Sequence, residues 1–261
     1  MKIATWNVNS AKARLPNITE WLTAAAPDVV LFQEIKCETA AFPAAAFVEL
    51  GYEVHAVGQK AYNGVAILSR QPVTDLLTRL PGDEEEDPQA RYVEGTIGGV
   101  RIASLYLPNG NPPGDGDSDK YRYKLRWMER LRLHAKGLLE AGAPVVLGGD
   151  YNVIPAPEDV YDPVGWRNDA LFRQETRLKF QEILALGYTE AFRSLHPGRH
   201  PAYTFWDYQA GAWPRNNGLR IDHFLLSPQA ADRLMGCEID KAPRGKEKAS
   251  DHTPVILEIN A

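Results

Sequence analysis

Acids, amides and a histidine recur at one kind of place in this chain, the ends of apolar runs. Asn7 closes "KIATWN" and Glu34 closes "DVVLFQE"; Asp150 and Asn152 follow "PVVLGG". Asp222 and His223 interrupt "GLRIDHFLL", and Asp251 with His252 directly precede "TPVILEI". Polar groups at several separate strand ends are costly to desolvate unless a cation gathered on one rim offsets them. An oxygen-rich donor set without cysteine favours Mg²⁺ or Mn²⁺ over zinc. Magnesium takes only one or two protein carboxylates and leaves the remaining positions to water and substrate phosphate. Glu34, supported by Asn7 and Asp251, suits so sparse a site. Asp150 can then act as general base on an attacking water. His252 can stabilise charge on phosphoryl oxygens, a donation commonly worth about 2.7–4 kcal/mol. Taken singly these signals are weak, since an Asp or Asn after a strand is ordinarily a cap or turn residue. Their joint occurrence at five strand ends carries the reading.

Such side chains need a frame. Short runs rich in β-branched and aromatic residues predict strands at 2–8, 28–34, 52–58, 64–69, 91–97, 100–106, 144–150, 203–207, 220–226 and 253–259. Several are apolar on both faces, as expected of central strands covered on each side. Helices are predicted at 15–25, 40–50, 118–141, 168–186 and 229–235. The longest begins at Ser118, a good N-cap, carries Tyr121, Leu125, Met128, Ala135 and Leu138 at three- and four-residue steps, and ends at Gly142. Segments 107–117 and 151–167, rich in Gly, Pro and Asp, read as loops of a length that is usually functional or disordered. So many strands exceed one flat sheet, and two packed β-sheets with helices outside them are the economical α/β arrangement.

Composition sets the outer bounds. The 261 residues, 44% apolar and 24% charged, are ordinary for a globular protein, with no repeat and no linker, so residues 1–261 read as a single domain. No secretory leader is evident and no apolar run approaches a membrane span. Cys37 and Cys237 lack metal-ligand spacing and read as small buried hydrophobes in a reducing cytoplasm. The net charge of −5 hides an uneven distribution. "DEEED" at 83–87 reads as a solvated acidic loop, while 120–136 packs seven Lys and Arg residues into one helical stretch.

The segments "WNVNS", "LFQEIKC", "GVAILSR", "LYLPNG", "GGDYNVIP", "GLRIDHFLLS" and "SDHTPV" follow one another in order along the whole chain. Together they resemble the exonuclease III family of abasic-site endonucleases, within the endonuclease/exonuclease/phosphatase superfamily that includes DNase I. The resemblance implies a four-layer α/β sandwich of two mixed β-sheets flanked by helices. It also implies Mg-dependent cleavage 5′ to abasic sites, 3′-to-5′ exonuclease action on duplex DNA, removal of blocked 3′ ends, and a monomer. By the family pattern, Asn7 is a metal-site amide, Glu34 the principal metal carboxylate and Asp251 a metal-side carboxylate. Tyr106, which the residues alone would place in the core, matches a tyrosine that bonds the scissile phosphate. Asp150 matches the residue that orients or deprotonates the water, and Asn152 the amide that holds it. Asp222 matches the carboxylate that orients the phosphate-contacting histidine, His252. The implied metal side thus comprises Asn7, Glu34, Asp150, Asn152, Asp251 and His252.

For the DNA, the resemblance places Phe205, Trp206 and Leu219 where the family builds a pocket for a flipped-out abasic sugar. Flipping costs least where the base is already missing. Candidate phosphate contacts are Lys12, Arg14, Lys36, Lys60, Arg91, Lys120, Arg122 and Lys124. The chain also departs from the pattern. Asn9 stands where some members carry an aspartate, and Pro112 roughly where one branch inserts an arginine into the DNA. Two other readings compete: a relative acting on RNA or inositol phosphates, and a DNA-binding protein without catalysis. The second would be expected to lack Glu34, Asp150 or His252, and all three are present.

Overall fold

The computed structural model describes residues 1–82 and 87–260. Six strands form one sheet: β1 (Lys2–Asn7), β2 (Val29–Gln33), β3 (Glu53–Val57), β4 (Val65–Ser69), β11 (Leu234–Ile239) and β12 (Val255–Ile259), in the order β11-β12-β1-β2-β4-β3. The other sheet holds β5 (Thr74–Leu77), β6 (Tyr92–Ile97), β7 (Val100–Tyr106), β8 (Val145–Asp150), β9 (Thr189–Glu190) and β10 (Asp222–Leu226), in the order β5-β6-β7-β8-β10-β9. The helices are α1 (Leu15–Ala25), α2 (Ala44–Val48), α3 (Asp119–Glu140), α4 (Gln174–Leu184), α5 (Ala191–Leu195), α6 (Ala212–Arg215) and α7 (Pro228–Ala231).

The two-residue period of a strand explains the layering. Ile3, Leu31 and Ile67 of the first sheet meet Val93, Ile102, Val146 and Phe224 of the second in one apolar core. Their neighbours Ala4, Trp6, Val30 and Phe32 point the other way, under Ile18, Trp21 and Leu22 of α1 and Phe47 of α2. On the opposite side Leu105, Leu147 and Leu225 lie under Trp127, Met128 and Leu131 of α3 and Phe180 and Ile183 of α4. The result is the four-layer sandwich expected from the sequence. Each fully buried Val, Leu, Ile, Phe or Met among them contributes about 1.5–3 kcal/mol.

Strand direction then delivers the polar residues to one edge. β1 runs parallel to β2, and β7 parallel to β8, so Asn7, Glu34, Tyr106 and Asp150 all sit at or just beyond carboxyl ends. β10 is antiparallel to β8 and starts with Asp222 opposite Asp150. β12 is antiparallel to β1, which returns Asp251 and His252 to the same edge. Behind them, Gln33 Nε2 donates to Ser104 Oγ at 3.0 Å, and Ser104 Oγ donates to Phe32 O at 3.0 Å, tying the sheets together.

Several expectations need correction. The helix expected at 229–235 is only α7, and the chain turns almost at once into β11, a half-buried edge strand whose "LMGCEI" lacks strong alternation. The strand expected at 203–207 does not form. Phe205 instead makes single bridges to Leu219 and His252. Pro43 divides the segment 40–50 into the turn Thr39–Ala41 and the short α2, and α4 starts at Gln174 rather than 168. The short strands β5 and β9 were not anticipated. Residues 83–86 of the acidic run lie outside the described residues. Asp87 is not solvated, since it accepts from Tyr123 and pairs with Arg130 at 3.0 Å. Ser118 caps α3 through Tyr121 N at 3.1 Å. Both cysteines are buried thiols. Among the described residues no helix is long and apolar enough to cross a membrane.

Candidate active site

Where the central strands end, one ligand atom each from Glu34, Asp150 and His252 lies within 4.8 Å of the others. Asn7 organises the two carboxylates: its Nδ2 donates to Glu34 Oε1 and to Asp150 Oδ2, both at 2.9 Å. The Asn7 Oδ1 turns away to accept from Asn9 N, so Asn7 faces the cluster with its nitrogen. Tyr106 Oη donates to Glu34 Oε1 at 2.9 Å, and Lys36 pairs with Glu34 Oε2 at 2.8 Å. Arg91 stacks over the Tyr106 ring at 4.7 Å and donates to the Tyr106 carbonyl, which fixes the phenol's base.

The histidine is held from behind. His252 Nδ1 lies 2.9 Å from Asp222 Oδ2, leaving Nε2 to face Asp150 Oδ2 at 3.7 Å. Ser250 Oγ accepts from His252 N and donates to Asn7 O at 2.7 Å, joining this turn to β1. Asn152 is engaged at every polar atom of its side chain: Nδ2 donates to Leu107 O at 2.9 Å and Oδ1 accepts from Asn109 Nδ2 at 3.1 Å. Its N–H donates to Asp150 Oδ1 at 2.9 Å. Glu34 and Asn152 both take left-handed backbone, with φ of 50° and 48°. Such conformations are uncommon outside glycine and persist where the surroundings over-determine them.

Electrostatics mark this as a place short of positive charge. Burial raises the Asp150 carboxyl well above its usual range, and the charges of Asp222 and Glu34 add to that against the opposing pull of His252. Burial also disfavours the His252 cation, but Asp222 and Asp150 more than reverse this and hold its pKa well above the ordinary value. At Glu34, burial is outweighed by Lys36, Asn7 and His252, and the carboxyl stays below its usual pKa. Burial, then the Glu34 and Asp150 charges, raise Tyr106, so it remains a phenol donor. Asp222 Oδ1 is buried without a hydrogen-bond partner among the described residues. The hard carboxylate oxygens of Glu34 and Asp150 and this charge imbalance fit a divalent cation such as magnesium or manganese.

The cluster forms one wall of a cavity of about 310 Å³. Its apolar side is Trp166, Leu171, Phe205, Leu219 and Ile221, and Asp251 sits on its rim. Asp251 Oδ1 accepts from Asn9 Nδ2 at 3.0 Å and stands outside the three-residue cluster. Trp206 is not on the cavity wall. It is fully buried behind it, where its Nε1 donates to Asn216 Oδ1 at 3.1 Å. A Cβ on Gly218 would come within 2.7 Å of that nitrogen, so Trp206 supports the turn that presents Leu219. Sequence reasoning missed Trp166, Leu171, Ile221 and Asn109. Ile221 is readable from its two-residue spacing to Leu219, and Trp166 as the one tryptophan of the Gly-, Pro- and Asp-rich segment 151–167.

The basic candidates separate in the same way. Lys12, Lys60, Lys120 and Arg122 are exposed, with Arg122 paired to Asp119 at 2.6 Å. Arg91 and Lys120 line a second cleft that meets the first at Asn109 and Asn111. Arg14 donates to Asn9 O and to Tyr208 Oη, and Lys36 is committed to Glu34. Lys124, expected to touch phosphate, is fully buried and faces the protein interior.

Known proteins share this fold over the full chain. A 3′-5′ exonuclease from Neisseria meningitidis is 39% identical, superposes with a TM-score of 0.95, and each chain covers 100% of the other. An AP endonuclease from Archaeoglobus fulgidus is 37% identical with a TM-score of 0.94, again with complete mutual coverage. The exodeoxyribonuclease III of Haemophilus influenzae is 30% identical over 99% of both chains. Residues 4–252 match the model of the Endonuclease/Exonuclease/phosphatase family. With fold and sequence agreeing along the chain, it belongs to that family.

Proposed function

We propose that this protein is a Mg²⁺- or Mn²⁺-dependent DNA repair nuclease that cleaves the phosphodiester 5′ to abasic sites and trims 3′ ends of duplex DNA. The observation that carries the reading is the meeting of Glu34, Asp150 and His252 opposite a small apolar wall. That combination suits a phosphate attached to a sugar that has lost its base. Relatives named AP endonuclease, exodeoxyribonuclease III and 3′-5′ exonuclease support the same substrate class. The reading extends to a monomer working in a reducing cytoplasm, where the buried Cys37 and Cys237 stay thiols.

In this mechanism Asp150 accepts a proton from the attacking water, whose oxygen bonds to phosphorus as the P–O3′ bond breaks. Asn152 holds that water in line. The cationic His252, oriented by Asp222, and the phenol of Tyr106 donate to the non-bridging oxygens, and the departing O3′ takes up a proton from solvent water. Glu34, with Asp150 beside it, would hold the divalent cation, which would supply charge neutralisation at the phosphate. The Trp166, Phe205 and Leu219 wall receives the baseless sugar and leaves a nucleotide bearing its base without room. Incubation with a duplex carrying one tetrahydrofuran abasic analogue tests the proposal. Nicking on its 5′ side with Mg²⁺ and none with EDTA is expected; no cleavage with any divalent metal would end it.

A further inference from the structure

α3 presents Tyr121, Lys124, Trp127, Met128 and Leu131 to the interior at helical spacing, a face on which a hydrocarbon would pack without cost. Lys124 is the one lysine buried among the described residues. A buried lysine is retained against a desolvation penalty, which pulls its pKa down to about 7, so its contacts need a reason. Both of its hydrogen bonds go to main-chain carbonyls at the site, Asn109 O at 3.0 Å and Asn152 O at 2.6 Å. Its stem passes Gly110, where the chain is left-handed (φ +87°) and a Cβ would lie 2.7 Å from Lys124 Cδ.

We propose that Lys124 is a positioning residue for hydrolysis, tying the loops that leave β7 and β8 so that Asn152 is held in its working orientation. Those loops leave adjacent parallel strands and carry the amides that bond each other, Asn109 Nδ2 to Asn152 Oδ1. The same turn supplies the Asn152 N–H that fixes Asp150 Oδ1. A single amino group between two carbonyls therefore sets the spacing of both loops, and that spacing supports the left-handed conformation of Asn152.

This inference rests on the nuclease reading. Its test is a cycle of wild type, Lys124→Met, Asn152→Ala and the double variant, in single-turnover nicking of the tetrahydrofuran duplex, with DNA affinity measured in EDTA. Lys124→Met is expected to slow nicking about ten-fold or more while leaving DNA affinity nearly unchanged. In the Asn152→Ala background it is expected to change the rate by less than about two-fold, because it acts through the residue already removed. A Lys124→Met rate like wild type, or a fully additive loss in the double variant, overturns the proposal. If Lys124→Met does not fold by circular dichroism, Lys124→Gln, which is neutral and keeps an amide donor, is read in the same cycle with the same two outcomes. Failure of the wild type to nick would instead overturn the nuclease reading itself.

Discussion

Asp222 and His252 form a buried pair across two chain segments, with Nδ1 2.9 Å from Oδ2 and both residues at most 3% exposed. Asp222 opens β10 in one sheet, whereas His252 precedes β12 in the other. The pair therefore bridges the sandwich at its working edge and fixes which imidazole nitrogen faces the substrate.

That pairing gives a pH prediction. Burial alone would lower the His252 pKa, and Asp222 is the leading charge that raises it. The imidazolium thus persists as pH rises and is lost only above its raised pKa. In Asp222→Asn burial regains ground, so the alkaline limb of the pH–rate profile is expected to move down by about one unit or more, one unit being ~1.4 kcal/mol. An unshifted limb would remove the His252 cation from the mechanism.

Glu34→Gln keeps the shape of the site but removes the carboxylate nearest Lys36 and Tyr106. Half-saturation by Mg²⁺ is expected to rise about ten-fold or more in a magnesium titration of nicking, with DNA affinity in EDTA retained. The same half-saturation as wild type would show that Glu34 does not hold the cation.

Trp166 forms part of the apolar wall without being fully buried. Trp166→Ala widens the cavity, so the ratio of nicking at abasic sites to nicking at intact nucleotides is expected to fall about ten-fold, within the range apolar pocket contacts discriminate. Competition between the two duplexes in one tube measures that ratio directly. An unchanged ratio would place discrimination elsewhere.

Arg220 lies between the cavity residues Leu219 and Ile221 but points inward, donating to Asp159 from Nε and Nη2 at 2.8 and 3.1 Å and to Glu190 from Nη1 at 2.9 Å. Arg220→Met breaks a buried ion pair and leaves Asp159 with Arg193 alone, at 2.6 Å, a loss of about 3–5 kcal/mol. A fall in Tm on the order of 10 °C is expected by calorimetry, and a shift under about 2 °C would contradict that accounting.

The sequence by itself determined the type of chemistry and most of the frame. Apolar runs with β-branched residues located the central strands, Ser118 marked the start of the longest helix, and polar residues at run ends marked Asn7, Glu34, Asp150, Asp222 and His252. Those signals are local: periodicity and capping depend on neighbours within a few residues. Weak edge strands such as β11 carried no such signal. Only the tertiary structure decided which of two adjacent aromatics, Phe205 or Trp206, faces the cavity, because no regular strand imposes an alternation there. It also turned Lys124 inward within a run of cations, where two loop carbonyls far away in sequence receive it. Contacts across such separations depend on how the layers stack, and no spacing along the chain records that.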